Sequence, residues 1–326
     1  MHAIRQYQFG PAENLRFERL ADPVPGEGQV RISVESAGVH LLDTIIRSGV
    51  DGGPFPLPGL PMTPGREVSG VVDAAGPDVA ADWIGRRVVA HLGQASGGYA
   101  ERALAPVGAL HEVPDDMSPD VAVAMIGTGR TAAGILEIAR ITPEDIVLVT
   151  AAAGGLGSLF VQGVEASGAT AVGLSGGVAK TAQVAALGAT VAVDYLEPDW
   201  PDRVCEELDD RLPSVVLDGV GGALGHAAVG LVRDGGRVVQ FGRSSGEPAS
   251  LGADEVAARR LVVEGGLGSR IAQRPGGMRD LETAAIENAR AGVWAPLVSR
   301  FELAQAGAAH IALETRATMG KTVLVP

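Results

Sequence analysis

The stretch from Asp145 to Ala182 constrains this chain most, because it switches between the two hydrophobic periods of an α/β fold around a glycine-rich turn. Ile146-Val147-Leu148-Val149-Thr150 is short, apolar and β-branched, the composition of a strand buried in a parallel sheet. It runs directly into Ala152-Ala153-Gly154-Gly155-Leu156-Gly157 and then a helical pattern through Val161, Gln162 and Val164. This is a G-x-G-x-x-G fingerprint with Ala152 in the first glycine position. Gly154 lets the backbone approach a pyrophosphate, and Gly157 lets the helix pack close to the strand. The N–H groups at the helix N-terminus, from Ala153 through Gly155 and Leu156, then face phosphate charge.

The following strand and turn select the nucleotide. A NAD site places an Asp or Glu about 20 residues beyond the glycines, where it accepts the ribose 2′-hydroxyl. Here the second strand, Thr170 to Leu174, ends in Ser175-Gly176-Gly177, and no acidic residue lies between Ala166 and Val193. The only charge in that interval is Lys180. A carboxylate would repel a 2′-phosphate, whereas the Ser175 hydroxyl and the Lys180 ammonium would bind one. NADP(H) is therefore expected over NAD(H). A solvated first-turn lysine is the bland alternative for Lys180, and the missing carboxylate decides against it.

With 326 residues the chain is long enough for two domains. Its 46% hydrophobic and 20% charged content is that of a soluble globular protein. A formal net charge of −13 argues against nucleic acid or an anionic membrane as partner, so a phosphate site has to be a local basic pocket on an acidic body. The single cysteine, Cys205, excludes a disulfide framework and a Cys-rich zinc site, and fits a reducing compartment. Met1-His2-Ala3-Ile4-Arg5 lacks the apolar run of a signal peptide, and a cytoplasmic location is expected. Ile146 to Val164 is uncharged and nearly long enough to span a bilayer, but its glycines fit the strand-turn-helix reading better.

Beyond Ile146, strand candidates recur near Thr170, Thr190, Ser214, Arg237 and Leu261. Spacings of about 20–24 residues accommodate a strand, a crossover helix and two turns. Six such strands in right-handed crossovers make a doubly wound sheet, with ligands beyond the carboxyl ends of its strands. The ends Val220-Gly221-Gly222 and Phe241-Gly242-Arg243-Ser244-Ser245-Gly246 therefore point to the same crevice as Gly154. The first 120 or so residues differ: Val30 to Val34 alternates, and short apolar runs follow at Val68 to Val72, Arg87 to Ala90 and Tyr99 to Ala105. They suggest a compact, mostly antiparallel β domain. Between Gly49 and Gly65, ten of seventeen residues are Gly or Pro, which reads as a rigid loop. Near the C-terminus a helical stretch, Leu281 to Ala291, precedes a strand, Thr322 to Val325, that most simply returns to the first domain.

A competing motif comes from hydrolases. Gly173-Leu174-Ser175-Gly176-Gly177 satisfies G-x-S-x-G at a strand-to-helix turn, and Asp218 with His226 or His310 follows in triad order. The turn belongs to the second strand after a phosphate loop, which favours the phosphate reading of Ser175.

The ensemble resembles the medium-chain dehydrogenase/reductase superfamily, and within it the zinc-free quinone oxidoreductase branch that includes ζ-crystallin. The resemblance covers nearly the whole chain. It is carried by Gly38-Val39-His40-Leu41-Leu42-Asp43 with Arg47-Ser48-Gly49, by Pro64-Gly65-Arg66-Glu67-Val68-Ser69-Gly70 and by Gly129-Arg130-Thr131-Ala132. Ala152 through Gln162, Phe241 to Gly246 and Arg316-Ala317-Thr318-Met319-Gly320-Lys321 complete it. The resemblance implies an α/β protein: a GroES-like, mostly antiparallel β domain over 1–121 with a C-terminal return over 267–326, and a Rossmann doubly wound parallel sheet over 122–266. It implies that Lys180 and Tyr195 bracket the adenosine 2′-phosphate and that Arg316 closes over the cofactor. Phe241 and Gly242 would lie near the nicotinamide ribose, with Arg243, Ser244 and Val220 in the neighbouring loops. Thr128 would face the nicotinamide.

Zinc-dependent relatives carry a Cys in the Gly38–His40 region and a His where this chain has Arg66. A guanidinium cannot ligate zinc and no thiolate is available there, so no metal is expected, although His40, His91 and Glu67 could be imagined as a donor set. Without a Lewis acid, alcohol oxidation is disfavoured. A quinone accepts hydride with less help, and the resemblance implies stacking of NADPH and acceptor as the main catalytic device. An enone or enoyl thioester could use the same arrangement, and a non-catalytic NADPH-binding protein would carry the same glycine loop. His40 and Asp43 are the candidate substrate-side polar groups, His40 as a proton donor. The alternative is that His40 caps a turn and Asp43 opens the next helix, paired with Arg47 at i, i+4. The branch often has a tyrosine where this chain reads Val50-Asp51-Gly52-Gly53-Pro54. Leu261-Val262-Val263 is an apolar edge strand that a homodimer would cover.

Overall fold

A computed structural model describes residues 1–50, 56–93, 96–267, 271 and 273–326. The chain divides into two units, Met1–Gly127 with Leu297–Pro326, and Thr128–Pro296.

The first unit starts with an antiparallel pair, β1 (His2–Gln6) and β2 (Leu15–Arg19). Its main sheet is organised around β3 (Gln29–Val39), in which Val30, Ile32 and Val34 alternate with more polar residues and are buried. Helix α1 (Leu41–Ser48) follows, and then β4 (Glu67–Ala75), β5 (Arg87–His91), β6 (Arg102–Pro106) and β7 (Leu110–Glu112). β4 pairs antiparallel with β3, with Ile32 opposite Val72 and Ala37 opposite Val68. Two strands from the C-terminal stretch complete the seven-stranded sheet. Lys321–Val325 pairs antiparallel with β3, Leu324 opposite Ala37, and Val298–Glu302 runs parallel beside it. The antiparallel domain with a returning terminal strand is thus present.

Helix α2 (Pro119–Ala124) continues through a π-helical turn, Met125–Gly129, into α3 (Arg130–Ala139). The run Pro119–Ala139 is long and apolar enough to cross a bilayer. Its side chains Ala122, Val123, Met125 and Ile135 are instead fully buried within the fold.

The second unit follows the strand–helix alternation read from the sequence. β8 (Ile146–Val149) leads to α4 (Gly155–Ala166), β9 (Thr170–Ser175) to α5 (Val178–Ala186), and β10 (Val191–Asp194) to α6 (Trp200–Glu207). β11 (Val215–Asp218), α7 (Gly222–Gly230), β12 (Arg237–Gln240), α8 (Ala253–Ala258) and β13 (Val262–Gly265) continue the series. All six strands are parallel, in the order β10-β9-β8-β11-β12-β13. The order reverses between β8 and β11, where doubly wound sheets open their ligand crevice.

The domain boundaries differ from the sequence expectation. The first lies between residues 127 and 128 rather than 121 and 122, and the return to the first unit starts at Leu297 rather than at 267. The helix Gly277–Arg290 explains the second shift. Glu282 pairs with Arg130 of α3 at 2.9 Å, and the Leu281 side chain lies against Gly134, so this helix stays with the nucleotide sheet. Of the Gly49–Gly65 loop, residues 51–55 lie outside the described residues, and with them the position where a tyrosine is common.

Gly157 shows how tightly β8 and α4 are joined. A Cβ there would sit 2.3 Å from the Ala151 carbonyl oxygen and 2.7 Å from the Ala152 Cα, both backbone atoms that cannot yield. At Gly154 a Cβ would meet the same oxygen at 3.2 Å. Gly157→Ala is expected to destabilise the protein by about 1–3 kcal/mol, as overpacking does. Gly154→Ala should cost clearly less. Urea unfolding of the two variants checks the difference, and equal midpoints would overturn this packing account.

Candidate functional site

The ends of three strands in the second unit are stitched together below the glycine turn. Thr150, immediately after β8, donates its hydroxyl to Asp218 Oδ1 at 3.0 Å and accepts the Gly219 N–H at 2.9 Å. Asp218, fully buried at the end of β11, also accepts the N–H groups of Val220 and Gly221 at 3.0 and 3.1 Å. From the next loop, Ser244 N–H reaches the Gly219 carbonyl and Ser245 N–H the Val220 carbonyl. Phe241 packs edge-to-face on Phe160 of α4, with centroids 5.1 Å apart. Ala153, Gly154, Gly155, Leu156, Gly157, Val220, Phe241, Gly242, Arg243 and Ser244 are thereby gathered at the carboxyl ends of adjacent strands. Ala153 and Val220 are buried, while Gly242, Arg243 and Ser244 are exposed.

The turn after β9 leads into α5, which carries Lys180, and Tyr195 stands just beyond the end of β10. The Tyr195 ring lies against Gly176, with its hydroxyl 2.9 Å from where a Cβ would stand, and Lys180 occupies the first turn of α5. Ser175 behaves differently from the sequence reading. It is 1% exposed, and its hydroxyl shares a 3.0 Å hydrogen bond with Thr181, so it is not presented to a phosphate. The same burial removes the hydrolase reading, because a nucleophile has to be reachable and paired with a base. His226 bonds the Ser250 carbonyl instead, and His310 belongs to the first unit. Asp194 lies opposite Ser175, just beyond the interval free of acidic residues. Its Oδ1 is committed to the N–H groups of Gly177 and Leu196, at 2.8 and 3.0 Å, and shapes the turn. Thr128 is buried in the π-helical turn, and Arg316 is exposed on the first unit, beyond the helix Ala306–Glu314.

The first unit holds a separate polar cluster around Glu67, the first residue of β4, which is fully buried. Its Oε1 is 2.7 Å from His40 Nε2, and its Oε2 accepts from Lys321 Nζ at 2.8 Å. Lys321 Nζ is also 3.1 Å from His40 Nε2. Burial by itself would raise the Glu67 carboxyl, but the charges of His40 and Lys321 outweigh it and hold the group well below the usual carboxylate range. Gly127 makes room for this carboxylate: a Cβ there would lie 1.5 Å from Oε1. Of the three partners, His40 alone reaches the surface appreciably, with 23% of its side chain exposed. The sequence suggests Glu67 only as a metal donor and Lys321 not as a site residue, because their pairing spans 254 positions and no spacing pattern encodes it.

Asp43 is buried and already in use. Its Oδ2 accepts the His40 N–H at 2.8 Å, so it caps α1, and accepts the Tyr99 hydroxyl at 3.1 Å. The expected Asp43–Arg47 pair is replaced. Arg47 turns to Glu314, with Nη2 at 2.5 Å from Oε1, and Asp43 faces Arg66 at 3.7 Å. Behind them lies His310, fully buried, its Nε2 3.2 Å from the Tyr99 oxygen. Because Tyr99 donates to Asp43, His310 has to donate Nε2–H, which leaves Nδ1 unprotonated and without a partner.

The pattern described as "Alcohol dehydrogenase GroES-like domain" matches residues 26–115, and that described as "Zinc-binding dehydrogenase" matches residues 155–283. A quinone oxidoreductase of Pseudomonas aeruginosa is 30% identical, the alignment covering 98% of this chain and 97% of the relative. A 2-haloacrylate reductase of a Burkholderia species is likewise 30% identical, over 100% of this chain and 99% of the relative. Among solved structures, mycobacterial Rv1454c complexed with NADPH superimposes with a TM-score of 0.86 at 31% identity, covering both chains in full. Escherichia coli quinone oxidoreductase complexed with NADPH gives 0.87 at 27% identity, again over both whole chains.

Burial holds His310 near a pKa of about 4, against 6.5 for a free imidazole, with Asp43 opposing the shift and Arg47 adding to it. The unfolded chain therefore takes up this proton at higher pH than the folded one. Stability falls as pH drops from about 6.5 towards 4, by up to about 3 kcal/mol for this group. His310→Gln should flatten that decline between pH 7 and 5, as read by thermal unfolding. An unchanged slope would show that other groups control it.

Proposed function

Since the chain belongs to the quinone oxidoreductase branch of the medium-chain dehydrogenase/reductase superfamily, we propose that it reduces a quinone or similarly activated acceptor with NADPH, without a metal. It is an oxidoreductase that takes NADP(H). One observation carries the cofactor reading at residue level. The Tyr195 ring lies against Gly176 in the turn after β9 and Lys180 stands in the first turn of the helix that follows, while Asp194 Oδ1 is bound to two backbone N–H groups of that turn. The glycine turn and the N-terminus of α4 hold the pyrophosphate, and the Lys180 ammonium with the Tyr195 ring takes the 2′-phosphate. Ser175 supports the turn through Thr181 and is not a ligand. Ala153, Gly154, Gly155, Leu156, Gly157, Val220, Phe241, Gly242, Arg243, Ser244, Thr128 and Arg316 remain the assigned cofactor neighbours.

The residues near Glu67 do not fit zinc. His40 and Glu67 offer donor atoms, but the Lys321 ammonium lies 3.1 and 2.8 Å from them. A divalent ion would be repelled where it had to bind. Bound NADPH supplies hydride from C4 of the nicotinamide. What the protein adds is orientation and a proton. His40 gives a proton to the reduced acceptor's oxygen, while Glu67 and Lys321 fix the imidazole through Nε2. Asp43 acts by holding the His40 backbone rather than by touching substrate. A 2-enoate or enone reductase is the second reading, favoured by the equally extensive likeness to the 2-haloacrylate reductase. The same hydride and proton would then add across a carbon–carbon double bond.

We further infer a cytoplasmic homodimer. β13 ends the parallel sheet, and Val262 and Val263 on it are 43% and 39% exposed, an edge that needs covering. Val262→Lys should yield a monomer by light scattering, and an unchanged mass for wild type and variant would place the interface elsewhere.

The deciding assay is oxidation of NADPH and of NADH by chelator-treated protein with a small para-quinone. Quinone-dependent turnover that prefers NADPH is expected. Lys180→Ala should weaken NADPH binding by about 1.5–3 kcal/mol and leave NADH nearly unaffected. NADPH binding without turnover of any quinone or enone would leave a non-catalytic binding protein.

A further inference from the structure

A cavity of about 170 Å³ lies in the first unit beside Asp43. Arg47 and Arg66 both line it, and Ile46, Leu57 and Met62 give it apolar walls. It is smaller than the 300–1,000 Å³ typical of drug-sized ligands, so its occupant is a small molecule or the head of one.

Charge in this cavity is unevenly satisfied. The Arg47 side chain is only 5% exposed, and its one ion pair, to Glu314, uses Nη2. Nε and Nη1 are buried and bonded to nothing. A guanidinium has five N–H donors, and each buried donor left unmade is costly, which is why arginine is seldom buried without full pairing. Asp43, the carboxylate that also lines the cavity, is already shared by the His40 N–H, the Tyr99 hydroxyl and Arg66. Among the described residues the cavity thus has Arg47 donors without a partner beside a carboxylate that is already shared. Planar guanidinium groups match carboxylates in shape and charge.

We propose that this cavity is an anion subsite that binds the carboxylate of a small acidic ligand, a short 2-enoic acid being the class that fits its walls. That such an acid is also the hydride acceptor rests on the function proposed above; that the cavity binds a carboxylate does not. The apolar walls receive the carbon chain, and Arg47 supplies the unused N–H donors on a body whose overall charge of −13 would otherwise repel an acid.

Crotonate and its neutral amide, crotonamide, test this with the full-length protein. Crotonate should raise the thermal midpoint in a saturable way and crotonamide should not. Arg47→Met, and separately Arg66→Met in case the first variant fails to fold, should weaken crotonate binding at least tenfold. The KM of either variant for a neutral para-quinone should stay within twofold of wild type. Equal effects of crotonate and crotonamide, or variants that bind crotonate as well as wild type does, would overturn the subsite. Crotonate binding with no turnover of any acceptor would sustain the subsite and refute the proposed reaction instead.

Discussion

One buried carboxylate ties the first unit together. Glu67 opens β4, faces His40 at the start of α1, and receives the ammonium of Lys321 from the last strand of the chain. Taking such charges out of water costs several kcal/mol per ion, and removing one partner of a buried pair typically costs a further 3–5 kcal/mol. The backbone around it is shaped accordingly, since neither Gly127 nor Gly38 has room for a Cβ beside that carboxylate. His40 is therefore held from two sides, through its ring by Glu67 and Lys321 and through its backbone N–H by Asp43. In the proposed reaction such fixation helps, because the nitrogen that transfers the proton does not have to be brought into place.

The second unit solves a different problem with different means. Its glycine turn has to leave backbone N–H groups open to a ligand, so the strands around it are joined by other bonds. Thr150, Asp218 and the two loops after β11 and β12 form that joint, and almost every donor in it is a backbone N–H. Asp194 does the same service for the turn after β9. Both aspartates lie at strand ends in a nucleotide-binding sheet, and in both the carboxylate organises protein backbone.

What could be read from the sequence was local. The six parallel strands start within a residue or so of where the hydrophobic runs suggested, and the glycine turn joins β8 to α4, because a strand, a turn and a helix each leave a pattern within a few residues. Misreadings came where a distant or competing partner won. Ser175 looked like a phosphate ligand until Thr181, on the following helix, took its hydroxyl. Arg47 had a helical neighbour in Asp43 but found Glu314, 267 positions away. The return to the first unit was expected 30 residues too early, since a helical pattern cannot say which sheet its helix covers. His310 stood out only as a hydrolase triad candidate, and its burial against Tyr99 left no mark in the sequence, for an isolated histidine carries no period.

The sheet of the first unit has its own consequence for the birth of the protein. β3 emerges early in synthesis, yet its partner along residues 37–39 is the strand Lys321–Val325, and the ammonium that neutralises Glu67 is carried on that same strand. Residues 128–296 form a unit whose contacts are complete before that strand is made. On the ribosome, the nucleotide-binding unit can thus reach its native state first, while the earlier-made residues wait with an open sheet edge and a carboxylate that still lacks the Lys321 ammonium. The strand Lys321–Val325, made long after β3, is what closes the first domain's sheet along residues 37–39.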